Sequence, residues 1–182
     1  GERLIIIITY QSMAVLKILK SGKVYRAHKS QSFYRAYGAL ADILGLECES
    51  PVFGSLRFHK KCTNGRVSTS VKLVLKVPDE FVKLTEYTVW ADFIDAMKYT
   101  KPGDYRQIDS SVTGDMDTAV TQKTLDKMIR HLRTQKGPWD YDIPQAVLAE
   151  IRPEWLVRYV LHPREPKPAK FHFITWNDIE IK

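Results

Sequence analysis

Only two cysteines, Cys48 and Cys62, occur in 182 residues. That is too few for a disulfide framework and predicts a reduced, cytoplasmic protein. No apolar run approaches the ~20 residues that a membrane-spanning helix requires, so no membrane role is expected. The longest aliphatic run, Leu4 to Ile8, is also too short for a signal-peptide core, and no small-residue cleavage pattern follows it. Internal repeats are missing. So are a phosphate loop, a dinucleotide glycine fingerprint and a nucleophile elbow. No carboxylate cluster offers a metal-dependent nuclease its ligands. Asp115, Asp117, Asp140 and Asp142 fall in loop or cap contexts, and Asp117 reads as a helix cap. His59 and Cys62 have ligand-like spacing, with Cys48 nearby, but zinc needs three or four ligands. A buried thiol and an exposed histidine are the simpler reading, and no metal is expected.

What the chain does have is positive charge. Twenty-eight Lys and Arg against 21 Asp and Glu leave a net +7. Such a balance favours anionic partners: nucleic acid, nucleotides, or an acidic or nucleic-acid-associated protein surface. Lys17, Lys20, Lys23, Arg26, Lys29 and Arg35 concentrate charge early, interleaved with Tyr25, Phe33, Tyr34 and Tyr37. Arg57, Lys60, Lys61 and Arg66 form a second cluster. Aromatic rings among cations suit stacking on a base and neutralising phosphate. Phe33 and Tyr37 fit a core position equally well.

Periodicity predicts a buried strand over 3–9, a helix over 12–21 capped by Ser12, a short extended piece at 23–25, and a helix over 31–45. Two strands, 52–59 and 66–77, follow around the hairpin signal Asn64-Gly65. Asp79-Glu80 begins a short helical turn, 88–98 a helix, and 99–118 a long polar surface loop. A helix over 118–135, strands over 143–151 and 156–162, a proline- and lysine-rich loop over 163–170, and terminal strands at 171–177 and 179–182 complete the chain. Helices and strands do not alternate strictly, so a doubly wound parallel sheet is excluded. The expected class is α+β: a single domain, 1–182, with a split, mostly antiparallel sheet and flanking helices.

Five aliphatics running into Thr9-Tyr10-Gln11-Ser12 put hydrogen-bonding groups at a buried strand end. One or two of these groups serve as caps; the others need another partner. Three segments, "TYQSMAVLKILKSGKVYRA", "VKLVLKVPDEFVKL" and "IPQAVLAEIRPEWLVRYVL", resemble the ADP-ribosyltransferase-like fold, in particular its DarT-like and RNA phosphotransferase-like members. The chain also resembles a bacterial and phage domain family of uncharacterised role.

The resemblance implies a protein that uses NAD as substrate and modifies a macromolecule, nucleic acid or a nucleic-acid-associated protein, in phage–host conflict. It implies that Thr9, Tyr10 and Gln11 meet the dinucleotide, with Tyr25 and Arg26 beside them, Tyr37 in the same pocket, and Arg35 at a phosphate. Tyr25 and Gln145 are the implied catalytic residues. Gln145 stands where the family carries a glutamate. An amide binds a hydroxyl but lacks the charge that stabilises a developing cation, a loss of about 10²–10³ in rate. Glu150 or Asp142 is then the substitute carboxylate, or the protein binds without reacting. The rival expectation is a non-enzymatic basic protein that occupies nucleic acid or a host complex.

Overall fold

An unbroken aliphatic run favours a strand buried on both faces, and Leu4–Gln11 forms it as β1. The computed structural model describes residues 3–29, 33–62, 71–111 and 120–161. In it the polar residues Thr9 to Gln11 belong to the strand itself. Helix α1, Met13–Lys20, follows. Ser12 occupies its N-cap position, but the side chain makes no capping hydrogen bond. Helix α2, Tyr34–Leu44, stops at Gly45, whose φ of 68° suits glycine.

The chain continues with β2 (Val52–Leu56), β3 (Val71–Pro78), β4 (Lys83–Glu86), α3 (Tyr87–Ala96), β5 (Thr100–Lys101), β6 (Asp104–Ile108), α4 (Gln122–Arg133), β7 (Pro144–Leu148) and β8 (Leu156–Val160). Six strands form one antiparallel sheet in the order β4-β7-β2-β1-β3-β8; β5 and β6 make a separate ribbon. The α+β class holds, with four α-helices among the described residues.

Several expectations change. The strands flanking Asn64-Gly65 are not hairpin partners: β1 lies between β2 and β3 and pairs with both. The turn itself lies outside the described residues, as do Arg66, Ser68–Ser70, Asp115, Asp117, the loop from 163 and the terminal strands. Part of the long connection is ordered as the β5–β6 ribbon. Helix α4 is capped by Thr121, which accepts from the Thr124 N–H while the Thr124 side chain accepts from Thr121 N–H.

The two sheet faces carry different helices. Ile7, Leu56, Leu73, Leu75 and Leu148 pack with Val15, Leu16 and Leu19 of α1. Phe53 and Val147 face the other way, into a layer made by α2, α3 and α4. Leu125, Met128, Ile129 and Leu132 recur at helical spacing on α4 and all enter that layer. Each such side chain contributes about 1.5–3 kcal/mol by leaving water.

Candidate functional site

Strand β1 is paired with β3 along its whole length, from Leu4 opposite Pro78 to Gln11 opposite Val71. With β2 it pairs only at Ile7–Leu56 and Ile8–Ser55. Beyond that seam the strands part, so β4-β7-β2 and β1-β3-β8 are two half-sheets joined at one end. A cleft of about 150 Å³ opens in the gap, lined by Thr9, Tyr10 and Gln11 on one side and by Pro51, Val52 and Phe53 on the other.

Thr9 crosses this gap. Its hydroxyl donates to the Phe53 carbonyl at 2.7 Å and accepts from Gln11 Nε2 at 2.8 Å. Thr9 is 2% exposed, whereas Tyr10 and Gln11 are half-buried, so a dry hydroxyl sits beneath a polar strand end that faces the cleft. The Gln11 side-chain oxygen has no partner among the described residues. At the seam, Gly54 lets the strands meet: a Cβ there would lie 2.5 Å from Ile7 Cγ2 and 2.9 Å from the Ile8 carbonyl oxygen.

The cleft's third wall is the segment after α1. Tyr25 and Ile151 exchange backbone hydrogen bonds of 2.8 and 2.9 Å, and Ala27, which lines the cleft, bridges Ser50. Between them Arg26 donates to the Glu47 carbonyl at 2.9 Å and to Glu150 at 2.6 Å. Arg152 holds the other oxygen of Glu150 at 2.9 Å. Glu150 lies past the cleft-ward end of β7, where Leu148 pairs with Val52. Asp142 lies off the opposite end and is ion-paired to Lys60 at 2.7 Å. The Tyr25 ring packs on the α1-side core, and burial raises its phenol pKa.

Gln145 is not brought together with Thr9 and Gln11. It pairs with Ser55 and Thr85 on β7 and shares a face with Val147, the helix layer, whereas Thr9 shares a face with Ile7. It is wholly buried; Oε1 accepts from the Thr85 hydroxyl at 3.1 Å and Nε2 has no partner among the described residues. Tyr37 stacks among Phe33, Phe53 and Trp90 in that same layer, and burial raises its pKa.

Arg35 spends its guanidinium on the chain between α3 and β5. It donates to the carbonyls of Met97, Thr100 and Lys101 and to the Thr100 hydroxyl, at 2.8–3.3 Å. Arg35 also borders a larger cleft of about 630 Å³ between α2 and the β5–β6 turn. Arg35→Ala should therefore lower stability by about 2 kcal/mol, because several carbonyls lose a charged donor. Urea unfolding checks this; a midpoint unchanged by the substitution would leave the guanidinium free for a ligand instead.

Three further features escape the sequence reading. Glu86 accepts the Asp142 and Ile143 N–H groups at 2.7 and 2.8 Å. The Gln135 side chain both donates to and accepts from Leu84 on the open edge of β4. Phe58, directly after β2, has a φ of 69° although it is not glycine. Cys62 is buried, with its thiol pushed up to about 11, and Cys48 is half-buried. Among the described residues no three potential ligands converge on a metal position, and no helix is long and apolar enough to cross a membrane.

A scan against protein-family models and searches of curated proteins and of solved structures return no match.

Proposed function

We propose that this is an NAD-binding, ADP-ribosyltransferase-like protein whose ligand enters where β1 and β2 part. The observation that carries the reading is the opening of the sheet at the polar end of its first strand, with Thr9 and Gln11 hydrogen-bonded inside the gap. The order of helices and strands leads to a split sheet, the resemblance implies a ligand at that strand end, and the geometry supports both. A polar strand end that lines a cleft over a buried hydroxyl is how proteins prepare a small-molecule site.

The cleft has room for one end of a dinucleotide. The segments 27–29 and 49–51, whose residues border both this cleft and the larger one beside α2, offer the rest of the molecule a path. In this reading Gln11 presents its free oxygen to the nicotinamide amide, and Tyr10 lies along the ribose. Glu150, not Gln145, supplies the negative charge that a developing ribosyl cation needs, because Glu150 lies at the cleft end of β7. Arg26 and Arg152 hold that carboxylate in a fixed orientation, one on each oxygen. The acceptor is a nucleic acid or a protein associated with one, in keeping with the net +7.

A second reading, a basic binding protein without catalysis, is favoured by one observation: the family's glutamate position is a buried amide. Isothermal titration with NAD separates the two. Saturable binding is expected, weakened about tenfold in Gln11→Ala through loss of one ligand hydrogen bond left unpaired. Glu150→Gln should still bind NAD but release no nicotinamide on prolonged incubation. Absence of any NAD binding heat in the parent protein would sink the transferase reading.

A further inference from the structure

The chain leaves β2 as Arg57-Phe58-His59-Lys60-Lys61, and this short turn is unusual in two independent ways. Phe58 is 79% exposed, and its backbone sits at φ 69°. A bulky residue rarely occupies that region, and holding one there costs of order 1–3 kcal/mol. A turn selected only for folding would carry glycine or asparagine. The ring is thus displayed at the expense of stability, and such strain clusters at functional positions.

The ring does not stand alone. Trp139, from the 3-10 turn Pro138–Asp140, is 76% exposed and packs on His59 with ring centroids 4.1 Å apart. Burial, and secondarily Lys61, hold the His59 pKa below its ordinary value, which favours the neutral ring against the indole. The Arg57 guanidinium stacks 4.9 Å from the Phe58 centroid. Lys60 neutralises Asp142 at 2.7 Å, which leaves Asp140 as the acidic group beside Trp139.

From this juxtaposition we infer that the turn after β2, together with Trp139, is a binding platform for single-stranded nucleic acid. Phe58 and Trp139 stack on bases, and the exposed Arg57 meets a phosphate between them, while the Lys61 ammonium stays on the Leu56 carbonyl at 3.2 Å. Flat exposed rings alternating with cations match a polyanion whose every unit carries a π-face. An acidic protein would be served by the cations alone and gives no account of two displayed rings. The platform lies off the end of β2 that points away from the β1–β2 cleft, and it does not depend on NAD binding there.

Fluorescence anisotropy of a short labelled oligothymidylate tests it. The parent protein should bind, with affinity falling steeply as salt rises. Phe58→Gly should weaken binding about tenfold or more while the protein becomes no less thermostable, since glycine relieves the positive φ. Trp139→Ala should weaken it to a similar degree. Arg57→Ala should weaken it for every sequence and reduce the salt slope by about 0.7–1. All three variants should titrate with NAD as the parent does, so this inference and the NAD reading fail separately. Parent-like oligonucleotide binding by Phe58→Gly and Trp139→Ala would overturn the platform. So would equal competition by polyglutamate, which would make the surface a docking site for acidic proteins.

Discussion

Replacing Gly54 by valine is expected to leave the protein unfolded, and even Gly54→Ala should cost about 3 kcal/mol. The glycine sits at the seam where the two half-sheets are joined. A Cβ would meet Ile7 Cγ2 at 2.5 Å and the Ile8 carbonyl oxygen at 2.9 Å. Ile7 is completely buried and the carbonyl belongs to the central strand, so neither can yield without moving β1. Overpacking of this kind typically costs 1–3 kcal/mol when side chains alone can shift, and more when backbone must. Urea unfolding followed by circular dichroism measures it. A Gly54→Ala midpoint equal to the parent's would mean that β1 and β2 tolerate a wider seam.

Gln145→Glu is the second large effect, and it is pH-dependent. The side chain is wholly buried, with the Thr85 hydroxyl as its partner. A carboxyl placed there has its pKa raised by desolvation above the unfolded value of about 4.3. The folded variant therefore holds a proton that the unfolded chain has lost, and stability falls as pH rises between the two pKa values. The substitution should cost about 3–5 kcal/mol at pH 8, where an unpaired charge or its neutralisation must be met. At about pH 5 most of that cost should vanish, because pH is then within about one unit of the unfolded carboxyl's pKa and the proton held in the folded state costs little to bind. Paired denaturation curves at the two pH values decide it. A penalty independent of pH would show that water or a cation reaches this position. The variant also restores the glutamate that the family resemblance implies at 145, and no gain of transferase activity is expected, because the carboxyl would face the helix layer rather than the cleft.

The sequence displayed one half of the candidate site and hid the other. Thr9 and Gln11 were legible because polar side chains after five aliphatics are costly unless something satisfies them. Gln145 was attractive for its place in a motif, but alternation along β7 decides which face it takes. All of β7 is buried, so no polar–apolar rhythm revealed that face. Strand β4 was unreadable for a different reason. Four residues carry too little pattern, and its open edge is satisfied by Gln135, an amide 51 positions away. Phe58 and Trp139 looked like any other aromatic residues, since exposure and a positive φ leave no trace in composition. The Asn64-Gly65 signal misled because turn chemistry reports a local reversal, whereas strand neighbours are chosen by the whole sheet. Here β1, with the longest aliphatic run, takes the place between the two strands.

The strand order has a consequence for how the chain finds its structure. No two neighbours in the six-stranded sheet are joined by a tight turn. Even the partners nearest in sequence, β1 and β2, have two helices between them. β7 must reach back to both β2 and β4 before either acquires its outer ladder, and β8 completes β3 last. Loop-closure entropy is therefore spent before most strand pairs can form, which puts this domain among the slow folders of high contact order. On a ribosome the nascent chain would carry β1 and its aliphatic run unpaired through the synthesis of α1 and α2. The charges that crowd the first helices keep that waiting strand in the company of a soluble, self-repelling segment.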